Sequence, residues 1–106
     1  MNLQISGRHV EITPAIHDYV LEKVGRSVRN FDHVIGVNVI LSVEKLKQRA
    51  EATVRLSGKD VHVEADEDDL YAAIDVLADK LDRQIQRLKE KMKDHHRGHK
   101  ADHTAA

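Results

Sequence analysis

The sequence predicts an α+β fold, a two-layer sandwich in which two helices pack on one face of a four-stranded sheet, in the order β-α-β-β-β-α. A long apolar stripe near the C-terminus recurs at helical spacing, and its members are Leu70, Ile74, Leu77, Leu81, Ile85, Leu88 and Met92. A shorter stripe predicts a second helix, with Ile16, Val20, Val24 and Val28 on its inner face. Four other segments alternate between apolar and polar residues, which is typical of half-buried strands.

The first strand is predicted over residues 2–6, where every second residue is apolar. Thr13 followed by Pro14 indicates the start of the first helix, because Thr caps a free amide and Pro suits the first helical position. We expect this helix to end near Asn30. Gly25 lies inside it, at a cost of roughly 1 kcal/mol relative to Ala.

The middle of the chain predicts three further strands and the turns between them. Strands are expected over residues 34–43, 49–56 and 61–65, with turns over residues 44–48 and 57–60. Residues 66–69 are all acidic, with the sequence Asp-Glu-Asp-Asp. We expect them to cap the long helix and to place negative charge at its N-terminus. That helix is predicted from residue 68 to about residue 94.

The length of 106 residues suits one domain with a modest core. We expect residues 1–94 to form this domain and residues 95–106, which are polar and rich in His, to form a flexible tail. The absence of Cys excludes disulfides and thiol chemistry. No apolar segment approaches the length of a membrane span and the N-terminus does not resemble a signal peptide, so we expect a cytoplasmic protein.

Charge is strongly polarised along the chain, although the formal net charge is only −1. Residues 57–79 contain one base and eight acids, whereas residues 80–100 contain eight bases and three acids. A local patch, rather than the total, sets the field that a polyanion meets.

Each predicted helix carries a basic side. The bases of the long helix are Lys80, Arg83, Arg87 and Lys91, and those of the first helix and the loop before it are Lys23, Arg26, Arg29 and Arg8. We expect adjacent helices to set these bases on facing walls of a groove that suits a phosphate backbone, although a charged helix face is more often simply solvated. With one Phe, two Tyr and no Trp, the chain is expected to recognise RNA shape and backbone rather than to stack on unpaired bases.

Neither a metal site nor a catalytic site is expected. His95, His99 and His103, with His96 beside them, share a helical spacing that could present imidazoles to a metal. Gly98 interrupts this spacing and no thiolate accompanies it, so we expect only adventitious affinity and no cofactor. No Ser lies in a nucleophile-elbow context and the glycines are isolated, so no enzyme is expected. The remaining histidines considered are interpreted as ordinary surface or partly buried residues: His9, His17, His33 and His62.

Several segments together resemble a known protein family. They are NLQISG at residues 2–7, VEIT at 10–13, VEK at 43–45, DLYAAID at 69–75, DKL at 79–81 and RQ at 83–84. The chain resembles the short hibernation-promoting factors of the ribosome-associated translation inhibitor family, also called the sigma-54 modulation protein family. The resemblance covers about residues 1–93, and the segment at 69–75 is its most specific part.

The resemblance implies a β-α-β-β-β-α fold like that of double-stranded-RNA-binding domains, and a protein that binds the small ribosomal subunit, through 16S rRNA, in stationary phase or stress. It would occupy the channel used by mRNA and tRNA, block translation and promote inactive ribosome dimers, with ribosome modulation factor as a partner. The chain itself would be a monomer off the ribosome. The family's basic positions fall here on Lys23, Arg26, Lys80, Arg83, Arg87, Lys89, Lys91 and Lys93, while Arg8 and Arg29 are added from the charge argument alone.

Two alternatives stay open from the residues. The long helix could pair with a protein partner or a second copy, with its basic stripe serving solubility. The chain could also bind free double-stranded RNA outside the ribosome. A further hypothesis is that the tail histidines gain charge near pH 6 and strengthen RNA binding.

Overall fold

The computed structural model describes the backbone of residues 2–29 and 31–105 and the side chains of residues 2–29 and 31–91. The elements are β1 (Asn2–Arg8), α1 (Pro14–Arg29), β2 (Val34–Glu44), β3 (Lys47–Leu56), β4 (Lys59–Glu67) and α2 (Leu70–Ala105). Their order confirms the predicted α+β class. Asn30, where α1 is expected to end, lies outside the described residues. The same holds for the side chains of Met92, Lys93 and residues 95–106, so the flexible tail stays a prediction. The backbone of α2 extends past its predicted end near residue 94.

Side-chain caps begin both helices. The Ile16 amide donates to Thr13 Oγ1 at 3.2 Å, so the predicted Thr cap is confirmed. The Ala72 amide donates to Asp69 Oδ2 at 3.0 Å. Asp66 and Glu67, which are also expected in this cap, instead belong to β4, because the pairing of β3 with β4 continues as far as Gln48 opposite Glu67.

The sheet has the order β1-β2-β3-β4, so each strand pairs only with its neighbours along the chain. β1 runs parallel to β2, with Ile5 opposite Val39, and the other two pairs are antiparallel. The parallel pair follows from α1, which carries the chain back across the sheet before β2 begins. The β3–β4 turn contains Gly58 at φ 87°, a left-handed backbone conformation that Gly adopts at no steric cost.

The core lies between the sheet and the helices, and its buried side chains among residues 2–29 and 31–91 are aliphatic apart from Phe31. Its buried residues on α1 are Val20, Val24 and Val28, and those of the predicted α2 stripe are Leu70, Ile74, Leu77, Leu81 and Ile85. α2 packs on β3 and β4, whereas α1 packs against α2 and β1. The other face of the sheet, which we call the open face, carries the polar residues that alternate with these core positions.

Candidate nucleic-acid interface

The bases of α2 lie on the side of the helix that is next to the edge strand β4. Lys80, Arg83 and Arg87, which we call the basic flank, line a shallow depression there together with Val63, Glu64 and Gln84. The Lys80 ammonium donates a hydrogen bond of 2.8 Å to the main-chain oxygen of Glu64. Within residues 2–29 and 31–91, neither Arg83 nor Arg87 forms an ion pair. Their guanidinium groups are therefore available to an external anion.

The opposite side of α2 faces α1. Tyr19 Oη donates to Asp75 Oδ1 at 2.6 Å, and Ser27 Oγ donates to the main-chain oxygen of Ala78 at 3.2 Å. At about 100° per residue, Asp75 and Lys80 lie roughly 140° apart around the helix. The expectation that the bases of the two helices line facing walls of one groove is therefore wrong. The basic flank looks toward β4, away from α1.

The bases of α1 form a separate group near the helix–helix seam. The Lys23 ammonium lies 3.7 Å from Asp75 Oδ1 and 5.5 Å from the centroid of the Tyr19 ring. Arg26 pairs with Glu22 at 3.1 Å on the exposed surface. Arg29 is exposed in the last turn of α1. Lys23 thus lies at the seam between α1 and α2, on the other side of α2 from the basic flank.

The remaining predicted bases are distributed more widely. Arg8 lines a different depression, between the end of β1 and the β2–β3 turn, together with Lys45 and Lys47. Lys91 is exposed and Lys89 is partly buried on α2. Lys93 lies outside the described side chains. The structure thus brings together Lys80, Arg83 and Arg87, and it does not bring Arg8 to them.

Sequence reasoning missed the residues that position Lys23. Asp75 accepts from Tyr19 and also lies beside Lys23, so one carboxylate organises two side chains of α1. This hydrogen bond, followed by burial and by the charge of Asp75, raises the pKa of Tyr19 to about 12. A signal was present in the sequence, because Tyr19, Lys23 and Ser27 follow one another at helical spacing beside the apolar stripe of α1.

Arg49 and Asp66 form a bidentate pair on the open face. Arg49 Nε donates to Asp66 Oδ1 at 2.7 Å and its Nη2 donates to Oδ2 at 3.1 Å. The hydrogen bonds from Arg49 hold the pKa of Asp66 below its ordinary value, and the same contact raises the pKa of Arg49. The pair therefore commits Arg49 to a neighbour within the sheet.

The helices do not have membrane-spanning character. In the described part of the chain, none is both long enough and apolar enough to cross a bilayer.

Comparison with known proteins gives a consistent assignment. The sequence profile of the family "Sigma 54 modulation protein / S30EA ribosomal protein" matches residues 3–93. A ribosome hibernation promoting factor of Pseudomonas putida is 53% identical over 91 residues, which cover 86% of this chain and 89% of that protein. A factor of the same name from Azotobacter vinelandii is 50% identical over 98 residues, which cover 92% of each chain.

A solved structure supports the same relationship. The ribosomal subunit interface protein of Coxiella burnetii superimposes with a TM-score of 0.79 at 31% sequence identity, covering 85% of this chain and 99% of that one. The family profile spans the sheet, α1 and most of α2, and therefore the basic flank as well. On these grounds the chain belongs to the Sigma 54 modulation protein / S30EA ribosomal protein family.

Proposed function

We propose that this chain is a ribosome hibernation factor. It binds the small ribosomal subunit in the channel used by mRNA and tRNA, excludes both, and promotes inactive ribosome dimers in stationary phase or stress. The observation that carries the proposal is the basic flank, in which Arg83 and Arg87 have no ion-pair partner in the described part of the chain. The names of the relatives, ribosome hibernation promoting factors at 50–53% identity, support it.

The chemistry of the basic flank suits an RNA backbone. Arg83 and Arg87 offer planar, bidentate donors that match a phosphate, and Lys80 offers a point charge. Lys80 keeps one donor on the Glu64 carbonyl, which holds its ammonium at the rim of the depression. Because the side chains are mounted on a packed helix, RNA binding does not have to order a mobile loop.

Lys23, Arg26 and the other predicted bases extend this proposal to a second contact. The acids Asp75, Asp79 and Asp82 lie on α2 between the basic flank and the bases of α1, by the helical period. One straight phosphate backbone would meet these acids if it crossed α2. We therefore assign the two basic groups to different RNA segments, with Arg8, Arg29, Lys89, Lys91 and Lys93 contributing to the surrounding field.

Residues 1–94 are the ribosome-binding domain in this proposal, and the His-rich residues 95–106 follow it as a tail. The target is cytoplasmic 16S rRNA, and binding is electrostatic docking followed by steric exclusion, with no catalytic step and no cofactor. Ribosome modulation factor is the proposed partner for dimerisation of ribosomes.

Co-sedimentation with purified small ribosomal subunits across a salt series tests the proposal. The variant Lys80→Glu/Arg83→Glu/Arg87→Glu is compared with a control of equal charge change away from the helices, Lys45→Glu/Arg55→Glu/Lys59→Glu. Affinity should fall by about one log unit per log unit of salt for each phosphate neutralised, and the flank variant should lose binding while the control keeps most of it.

The same experiment separates the alternatives. Equal loss in both variants would show that net charge, and not the basic flank, governs binding. Competition by generic duplex RNA at equal concentration would favour a free double-stranded-RNA-binding protein. A folded protein that binds no subunits at low salt but self-associates with concentration would favour a protein-interaction module. Ribosome dimers are then counted with and without ribosome modulation factor.

A further inference from the structure

A compact group of potential metal ligands lies on the open face of the sheet and contains none of the three basic-flank residues. Glu51 of β3 and His62 and Glu64 of β4 bring one ligand atom each within 4.8 Å of one another. His62 Nε2 lies 3.7 Å from Glu51 Oε1 and 3.4 Å from Glu64 Oε2. The imidazole thus stands between two carboxylates on neighbouring strands.

The register of the sheet forces these carboxylates together. Glu51 lies directly opposite Glu64 in the antiparallel ladder. The Glu64 carbonyl accepts from Lys80, outside the ladder, so this pair is of the non-hydrogen-bonded kind, in which facing side chains come closest. Two like charges directly opposite each other destabilise a sheet unless a cation lies between them.

The nearby cations are committed elsewhere. Arg49 gives its Nε and Nη2 donors to Asp66, and Lys80 gives a donor to the main chain of Glu64 rather than to its side chain. Among the side chains of residues 2–29 and 31–91, His62 is the only ion-pair partner of either glutamate. No arginine or lysine side chain in this described part of the chain therefore forms an ion pair with Glu51 or Glu64.

The second nitrogen of His62 is also held. Its Nδ1 lies 3.0 Å from Thr53 Oγ1, on the residue directly opposite in the ladder. With the proton on Nδ1 donated to this hydroxyl, the lone pair of Nε2 points toward the glutamates. A hydrogen bond to the outer nitrogen is the arrangement that orients metal-binding histidines.

We propose that Glu51, His62 and Glu64 bind a divalent transition-metal ion of the Zn²⁺ class. Ligands about 2.0–2.1 Å from a tetrahedral zinc ion are separated by about 3.3–3.4 Å, and the two distances from Nε2 are 3.4 and 3.7 Å. One imidazole and two carboxylates suit Zn²⁺ better than Mg²⁺, which prefers oxygen ligands alone. The remaining coordination position is open to water, because the His62 and Glu64 side chains are each 49% exposed.

The ion would act as a clamp between β3 and β4. It replaces the repulsion between Glu51 and Glu64 with two bonds to a shared centre, so it ties the edge strand to the sheet. The open face is opposite the helical layer, so the clamp does not require any residue of the basic flank. The two sites nevertheless adjoin, since Glu64 also lines the depression beside the basic flank.

A Zn²⁺ titration followed by the imidazole NMR resonances tests the clamp. The 106-residue chain is used with the tail histidines replaced by Gln, to remove their own affinity for the metal: His95, His96, His99 and His103. The variant Glu51→Gln/Glu64→Gln removes both carboxylates and keeps His62. The matched control, Glu44→Gln/Asp60→Asn, removes one acid from β2 and one from β4 and leaves the cluster intact.

The His62 resonance should shift in a saturable manner, and the apparent affinity should fall by at least about tenfold in the cluster variant but not in the control. Zn²⁺ should raise the melting temperature of the parent chain more than that of the cluster variant. Mg²⁺ should neither shift the His62 resonance nor raise the melting temperature. Equal affinity in the cluster variant, or equal shifts at His9, His17 and His33, would overturn the proposal in favour of adventitious imidazole binding. An unshifted His62 would also overturn it.

Discussion

The ring of Tyr71 stands edge-on to the ring of Tyr19, with the ring centroids 4.9 Å apart and the planes inclined at 78°. This arrangement joins the first turn of α2 to α1, and it is a favourable geometry for two aromatic rings. The Tyr19 hydroxyl continues the contact by donating to Asp75 one turn farther along α2. The two helices are therefore fastened by a polar and aromatic contact at the rim of the aliphatic core.

Replacing Tyr19 by Phe should lower the melting temperature by a few degrees, because the hydrogen bond to Asp75 is lost. The folded state raises the pKa of Tyr19 from 10.0 to about 12, so it binds the phenolic proton more tightly than the unfolded chain. The stabilisation is thus fully present below pH 10 and is lost as the pH rises through about 12.

Melting temperatures of the wild type and Tyr19→Phe across this pH range check the prediction. The Tyr71→Phe variant serves as control, and it also leaves Tyr19 as the only phenol whose ionisation can be followed by ultraviolet absorbance. Ionisation of Tyr19 at its ordinary pKa would contradict the role given to Asp75.

Replacing Asp66 by Asn should destabilise the protein at neutral pH, because Arg49 loses its bidentate partner. The pKa of Asp66 is lower in the folded state, so its contribution is present above the ordinary value of 3.8 and is lost as the pH falls through the folded value. The difference between the wild type and the variant should therefore be constant near neutrality and should vanish in acid.

Thermal melts from neutral to strongly acidic pH measure this difference. Asp60→Asn on the same strand is the control and should have a smaller effect at neutral pH, since Asp60 forms no ion pair in the described part of the chain. A difference that persists unchanged into strong acid would exclude the carboxylate as its source.

Two glycine substitutions should change the free energy of unfolding in opposite directions. A Cβ at Gly25, inside α1, would meet no atom within 4 Å, so Gly25→Ala should stabilise by about 0.5–1 kcal/mol through helix propensity. A Cβ at Gly7 would lie 2.5 Å from the main-chain oxygen of Val10, so Gly7→Ala should destabilise. Urea unfolding of both variants measures the two changes, and a destabilised Gly25→Ala would refute the reading of that site.

Lys80→Ala and Arg83→Ala should separate stability from binding. Both should weaken binding to small ribosomal subunits, but only Lys80→Ala removes a contact with β4 and should also lower stability, by less than about 1 kcal/mol. Chemical denaturation and co-sedimentation measure the two properties. If Arg83→Ala lost as much stability as Lys80→Ala, the Glu64 contact would not be the cause.

The elements themselves followed from sequence because their signals are local. The apolar positions of α1 and α2, the alternation in β2 and β3, and the Thr13 cap each depend on residues a few positions apart. The end of β4 was misplaced because the Asp-rich segment suits a helix cap and a strand end equally well. Asp66 lies in the strand because the pairing of β4 with β3 continues past this residue.

The site could be predicted only in part. The helical period puts Lys80, Arg83 and Arg87 on one side of α2, and the structure keeps them together. The period does not tell which side faces α1, because that depends on the order of the strands beneath. Contacts between distant segments, such as Tyr19 with Asp75 and Glu51 with His62, leave no periodic pattern.

The neighbour-to-neighbour order of the strands has a consequence for how the chain folds. β2 pairs with β1 across α1, but β3 and β4 can each join the sheet as soon as they are synthesised, since the partner strand has just preceded them and only a short turn must close. The hairpins of β2, β3 and β4 can therefore form on a nascent chain. Their apolar face stays exposed until α2 emerges and packs on β3 and β4. Synthesis of the last helix is therefore the step that completes the hydrophobic core.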